Sequence, residues 1–253
     1  MSKDIESYQS AYSSHYDFER EMVRARQKML RHWLEGFGPV SVVEIGCGQE
    51  MLFSTLSDLD SVRNWIIIEP SKVFAQKASE LTKKDDRIVV FNTFAEVGVD
   101  QVLSEIPGGA EAVICSGLLH EVPDPFLLLS SAASMGCNDG VVHINVPNSG
   151  SLHRQLARAM GLISNETQLS DRNKQLQQTR VYDADLLRKT VESANLQVVD
   201  EGGYFLKPFT HEQMHAVLSH LPEGITDGLW EIGRENPSIA SEIYINARIS
   251  RQE

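Results

Sequence analysis

Val42-Val43-Glu44-Ile45-Gly46-Cys47-Gly48-Gln49-Glu50 is the stretch on which the reading of this chain turns. The run over 40–45 is short, nearly continuous in apolar and β-branched residues, and so has the composition of a strand covered on both faces. Two glycines spaced by one residue follow it. Glycine there permits a tight turn and lets a ligand approach the backbone closely. The N–H groups exposed at such a turn can receive a ligand carboxylate. Spacing alone leaves two readings open, a ligand-binding loop and a plain strand-to-helix turn.

Working outward, residues 5–37 read as a helix, with Met22, Ala25, Met29 and Trp33 at helical spacing and Gly36, Gly38 and Pro39 as its stop. Further buried-strand runs occur at 65–68, 87–91, 112–115 and 141–146, with helical segments at 71–81 and 125–135 between them. Alternating strand and helix predicts right-handed crossovers and a parallel sheet. Past Val146 the rhythm breaks. Pro147 and Asn148 signal a turn, 151–160 reads as a helix stopped by Gly161, and 163–178 is polar and irregular. A helix over 184–194, a strand over 196–206, short helices over 211–219 and 226–235, and a last strand over 241–249 complete the pattern. The expected organisation is an N-terminal helical extension at 1–38 and one α/β domain at 39–253 with an insertion at about 148–180.

Composition narrows the function classes. Of 253 residues, 42% are hydrophobic and 23% charged, which is globular, and the net charge is −12. An acidic surface repels phosphate backbones, so nucleic acid is not an expected partner. The basic stretches at 20–31 and 154–158 read as solvated helix faces. No apolar run is long enough to span a bilayer, and the polar residues 1–10 lack the core of a secretory leader. Cys47, Cys115 and Cys137 are too few and too scattered for a disulfide framework or a zinc site, which suits the cytoplasm. No metal is expected.

A second signal sharpens the first. Glu69 closes the strand over 65–68, about twenty residues past the glycines, where an acidic side chain can accept hydrogen bonds from both hydroxyls of a ribose. A dinucleotide fingerprint needs a third glycine three residues after the second, and Met51 stands there. A P-loop needs Gly-Lys-Ser/Thr, which is absent. The nucleotide reading therefore survives without a pyrophosphate.

With these features the chain resembles the class I S-adenosylmethionine-dependent methyltransferases of small-molecule type. Glu44-Ile45-Gly46-Cys47-Gly48 matches their acidic-x-G-x-G motif, with Glu50 where many members carry a further glycine. The resemblance assigns cofactor binding to Glu44, Gly46, Cys47, Gly48, Glu69 and Pro70, to Thr93 and Phe94 after the third strand, and to Ser116 and Gly117 beneath the methionine part. It implies a Rossmann-like seven-stranded sheet in the order 3-2-1-4-5-7-6 with the last strand antiparallel. It also implies S-adenosyl-L-methionine as cofactor and a small-molecule acceptor, methylated on oxygen.

Candidate catalytic bases are His120, on the loop after the fourth strand, and His153, near the start of the helix after the fifth. The alternative for His120 is a structural histidine that caps its loop or packs against Pro123, and for His153 a place on an amphipathic helix whose charges are solvated. Arg154 and Arg158 could hold an acidic substrate group in a bidentate fork, against a reading as solvated helix charges. Asn148, Tyr204 and the N-terminal Tyr12 and Tyr16, which with Tyr8 and His15 could fold over the cofactor, are the remaining substrate-binding candidates. Lys207 reads as a surface lysine before Pro208. The rival readings are a non-catalytic S-adenosylmethionine-binding protein and an NAD-dependent oxidoreductase. Met51 and the lack of a Tyr-x-x-x-Lys pair count against the latter. A homodimer through the N-terminal helix is possible on the sequence.

Overall fold

The computed structural model describes residues 18–250. Its elements follow one another as α1 (Glu19–Phe37), β1 (Ser41–Ile45), α2 (Phe53–Leu56), β2 (Asn64–Ile68), α3 (Lys72–Thr82), β3 (Ile88–Phe91), α4 (Ala95–Glu105), β4 (Ala110–Ser116), α5 (Pro125–Met135) and β5 (Gly136–Pro147). The second half adds α6 (Leu152–Ala159), α7 (Asp171–Gln175), α8 (Ala184–Ser193), β6 (Leu196–Tyr204), α9 (His211–Leu218), α10 (Ile225–Glu235) and β7 (Glu242–Ile249). Among the described residues the strands form one seven-stranded sheet in the order β3-β2-β1-β4-β5-β7-β6. Neighbouring strands from β3 to β5 pair in parallel, and β7 pairs antiparallel with both β5 and β6.

Both faces of the sheet are covered, which is why β1 and β2 read as continuous apolar runs. Strand periodicity sends Val43, Ile45, Ile66 and Ile68 into the core beneath α4, α5 and α8. Val42, Trp65 and Ile67 point the other way, against Leu30 and Leu34 of α1, the α2 segment and Phe74 of α3. The N-terminal half of α1 is buried in a third cluster, where Met22, Ala25 and Met29 meet Tyr204, Phe205, Met214 and Trp230. Trp33 stacks on the ring of His143, with centroids 5.1 Å apart, so α1 is seated on the sheet along its length. The helix stops at Gly38, whose left-handed conformation returns its N–H to the Leu34 carbonyl.

Three elements depart from the sequence expectation. α4 carries little helical signature, because Val97, Val99 and Val102 are β-branched and Gly98 is a poor helix former; packing against the sheet overrides propensity. β5 begins at Gly136 rather than at 141, its polar Asn138 and Asp139 lying at an exposed end. Within the irregular insertion, α7 forms behind a capping box of Ser170 and Asn173.

The chain leaves β6 through Phe205, which takes a positive φ of 60°. α10 packs so closely here that a Cβ on Gly233 would stand 2.3 Å from the Phe205 nitrogen. Gly233→Ala should therefore cost roughly 1–3 kcal/mol through overpacking against backbone, read as a lowered urea midpoint with an unchanged slope.

Candidate active site

β1 and β4 are the strands between which the order of connection reverses, and open α/β sheets bind ligands at the carboxyl ends of strands at that point. A cavity of about 480 Å³ lies there. Its inner wall is the glycine turn and the loops after β2, β3 and β4; its outer wall is α1, the insertion, the loop after β6 and the start of β7.

At the inner wall, Glu44 points from β1 to the same face as Trp65. Its carboxylate accepts from the Leu52 N–H at 3.0 Å and from the Trp65 indole N–H at 3.0 Å. Burial pushes this carboxyl up to about 7, against the lowering effect of those two donors. Glu44 thus fixes the shape of the glycine turn from beneath. The turn itself requires glycine at 46, whose φ is 73° and where a Cβ would stand 2.8 Å from the Leu118 side chain. The helix after the turn is a single turn of four residues, α2, and Met51 and Leu52 anchor the connection in the core. Glu69 is buried at the cavity wall, and its carboxylate accepts from the Ser71 N–H at 2.8 Å and the Gly48 N–H at 3.2 Å. Burial raises its pKa, opposed by those backbone donors. Oε2 also meets the Cys47 thiol at 3.7 Å, while Oε1 keeps capacity for another donor, so the residue fits a ribose hydroxyl on the cavity side. Burial pushes the Cys47 thiol far up, aided by Glu44 and Glu69, so it lines the pocket as an unreactive group.

The outer wall is built on ion pairs. Glu242, the first residue of β7, is 1% exposed. Its carboxylate accepts from Arg26 Nε at 2.8 Å and from Arg26 Nη2, from Asn145 Nδ2 at 2.7 Å and from the Tyr204 hydroxyl at 3.0 Å. Arg26 Nη1 also donates to Glu19 Oε1 at 2.8 Å, and its guanidinium lies over Gly117. Burial would raise the Glu19 carboxyl, but Arg26 and His211 outweigh it and hold it far below the usual carboxylate range. Arg172 of α7 stands 3.5 Å from Glu19, and His211 Nε2 stands 3.4 Å from it. His211 Nδ1 is 3.1 Å from Lys207 Nζ. Burial lowers Lys207 to about 7, partly offset by Glu19.

The cavity brings together Glu44, Gly46, Cys47, Gly48, Glu69 and Pro70, and with them Phe94, Ser116 and Gly117. His120 and His153 both line it, as do Asn148 and Arg154. Asn148 spends its amide inside the fold, donating to Ser238 and Ala240 carbonyls and accepting from the Gly150 N–H. Arg154 donates to the carbonyls of Glu166 and Gln168 within the insertion. Burial drives His153 down to about 2, helped by Lys207 and His211, so its ring is neutral. Four assignments need correction. Thr93 does not line the cavity; its methyl abuts Gly98 of α4 instead. Arg158 is half exposed and pairs with Glu166 at 2.8 Å, away from the cavity. Tyr204 is fully buried and its hydroxyl serves Glu242, so it can act on the cavity only through that carboxylate. Lys207 is no surface lysine, since it is 4% exposed and faces the cavity. Tyr8, Tyr12, His15 and Tyr16 fall outside the described residues.

Glu19, Arg26, His211 and Glu242 are the site residues that sequence reasoning missed. For two of them a signal existed. Glu19 and Arg26, seven apart, share the helix face of Met22 and Met29, so the basic stretch at 20–31 is not wholly a solvated face.

A family model described as a methyltransferase domain matches residues 14–201. The chain belongs to that family, and its fold is that of the class I, S-adenosylmethionine-dependent methyltransferases. Its cofactor is S-adenosylmethionine, for which Glu69 and the glycine turn fit as described. A ubiquinone biosynthesis O-methyltransferase of Xanthomonas campestris pv. campestris is 26% identical over 107 residues, 42% of this chain and 43% of that protein. The match thus spans less than half the length of that relative. Among solved structures, the N-methyltransferase NodS of Bradyrhizobium japonicum in complex with S-adenosyl-L-homocysteine superposes with a TM-score of 0.56 at 14% identity, covering 97% of this chain and 99% of that one. The [4+2]-cyclase SpnF gives 0.52 at 12% identity over 84% of this chain and 75% of its own, and the CurJ carbon methyltransferase gives 0.51 at 16% over 84% and 49%. These likenesses show the fold. Among the described residues no helix is long and apolar enough to cross a membrane.

Removing the carboxylate of Glu242 would leave the Arg26 guanidinium without one of the two buried anions it meets among the described residues. Glu242→Ala should cost about 3–5 kcal/mol, whereas Tyr204→Phe, which removes one neutral donor, should cost about 1 kcal/mol. Urea denaturation of the two variants checks the contrast.

Proposed function

We propose that the protein transfers the methyl group of S-adenosylmethionine to an oxygen, hydroxyl or carboxyl, of a small acceptor held in the outer part of the cavity. The observation that carries this reading is that one cavity holds both the Glu69–glycine-turn cradle and a set of buried nitrogen bases. The relative named as an O-methyltransferase supports oxygen. The cavity's size, in the range of small-ligand sites, supports a small acceptor.

When bound, the cofactor supplies a methyl group already activated by its sulfonium. The work left to the chain is alignment, exclusion of water and disposal of a proton. Glu69 and the glycine turn hold the nucleoside. Ser116 and Gly117 lie beneath the transferring end, where small side chains leave room for acceptor and donor in line. α1, with the insertion at about 148–180, covers the acceptor and selects it. His120, on the loop after β4, is the residue we assign to accept the proton of a hydroxyl acceptor.

Two measurements test this. Glu69→Ala should weaken S-adenosylhomocysteine binding roughly 10- to 100-fold by calorimetry, the cost of hydrogen bonds to a charged group, with NAD giving no heat in either protein. With an acceptor found by screening for S-adenosylhomocysteine release, His120→Ala should lower kcat by roughly 100-fold and leave S-adenosylhomocysteine affinity unchanged. An unchanged kcat would assign His120 to loop structure.

A further inference from the structure

The outer wall has a charge pattern that methyl transfer alone does not require. Around Lys207 stand two carboxylates, Glu19 of α1 and Glu242 of β7, and two guanidiniums, Arg26 of α1 and Arg172 of α7. These four are engaged with one another: Arg26 with both acids, Arg172 with Glu19. Among the described residues the formal charges of these four cancel. The two imidazoles nearby, His211 of α9 and His153 of α6, are both neutral. The Arg154 guanidinium on α6 is occupied by backbone carbonyls.

Among the described residues Lys207 is therefore the surplus group. It is buried, it lines the cavity, and the hydrogen bond it makes among the described residues is to a neutral His211 nitrogen rather than to a carboxylate. Nearby on the same wall, His153 Nδ1 is buried and meets no hydrogen-bond partner among the described residues. A buried ammonium without its own anion is costly, and a buried ring nitrogen without a partner is too. One ligand group would satisfy both. Between this wall and the glycine turn the cavity carries an apolar stretch formed by Met22, Val23, Leu30, Leu118, Leu176 and Val181, with Gln27, His120, Glu121 and Gln178 as its polar lining.

We propose that Lys207, with His153, forms a recognition site for the carboxylate of the acceptor, which is thus a carboxylic acid with an apolar body. The choice of a carboxylate over a phosphate follows from charge. One lysine offset by otherwise cancelled charges matches a monoanion, and a dianion would leave a buried negative charge uncompensated. The proposal rests on the reading of this cavity as the methyl-transfer site.

The proton count gives it a signature. In the free protein above about pH 7 the Lys207 amine is largely neutral, because burial disfavours the ammonium. A bound carboxylate favours the ammonium, so binding at pH 8 takes up one proton from the buffer. The amine becomes the ammonium that pairs with the carboxylate, and no covalent bond changes. Affinity should then fall about tenfold per pH unit above pH 7.

The experiment is calorimetry on the full chain with S-adenosylhomocysteine, followed by hexanoate, benzoate and phenylacetate, their amides, and phenyl phosphate. We expect a carboxylate to bind at least tenfold more tightly than its amide. The heat at pH 8 should change with the buffer's ionisation enthalpy, as proton uptake demands. Lys207→Met should bind S-adenosylhomocysteine like the parent and lose the preference for carboxylate. Equal binding of acids and amides, no binding of either, a preference that survives in Lys207→Met, or tighter binding of phenyl phosphate would each overturn the proposal. Should the methionine variant not fold, the buffer dependence of the parent protein decides alone. Failure of S-adenosylhomocysteine to bind is a separate result. It would remove the methyl-transfer reading, and the acid–amide comparison would still stand on the free protein.

Discussion

Glu242 carries a charge into a place where charge is expensive, and much of the architecture can be read as the response. A carboxylate at the buried start of an inserted antiparallel strand must be paired or neutralised. Here it gathers Arg26 from α1, Asn145 from β5 and the Tyr204 hydroxyl from β6. Those partners come from the N-terminal helix and from both strands flanking β7. The interaction joins the N-terminal helix to the C-terminal strand and so closes the outer side of a cavity that the parallel half of the sheet leaves open. Arg26 then reaches Glu19, and Glu19 reaches Arg172 and His211. The outer wall is one electrostatic unit spread over four elements.

The two ends of the cavity are polarised in opposite senses. The inner end holds Glu44 and Glu69 with a thiol that resists ionisation. A buried pair of acids so close to one another would repel, and the Glu44 carboxyl, raised to about 7, relieves that by holding its proton more readily than an exposed glutamate. Acid at this end suits the hydroxyls of a ribose. The outer end is rich in nitrogen, with a lysine and two histidines whose pKa values burial lowers.

The sheet was legible in the sequence for a physical reason. A strand buried on both faces must be apolar at every position, so β1, β2 and β4 announce themselves without context. The glycine turn was legible because a positive φ at Gly46 admits few other residues. Glu69 could be found because it lies a fixed crossover length downstream. Helix α4 was not legible, since its valines favour strand and only the sheet beneath it decides the matter. Tyr204 and Arg158 misled because residue type and approximate position do not fix direction. Tyr204 turns into the core and Arg158 turns toward solvent. Lys207 was misread for the same reason. Its inward direction depends on the left-handed Phe205 two residues before it, and on the close approach of α10, neither of which leaves a mark near residue 207.

The same distinction explains why the fold and the acceptor differ in readability. The cofactor end is assembled from loops that directly follow consecutive parallel strands, so its residues recur at intervals set by the crossovers. The outer wall is assembled from α1, the insertion, the loop after β6 and the start of β7, segments that no interval relates. Proteins of this fold include an N-methyltransferase, a carbon methyltransferase and a cyclase, so the sheet does not choose the chemistry. In this chain the outer wall of the cavity joins side chains as much as 223 positions apart, Glu19 to Glu242, through buried charge. Buried ion pairs are poor sources of net stability but strict about geometry and partner. A wall built from them can therefore be specific while leaving little trace in local sequence.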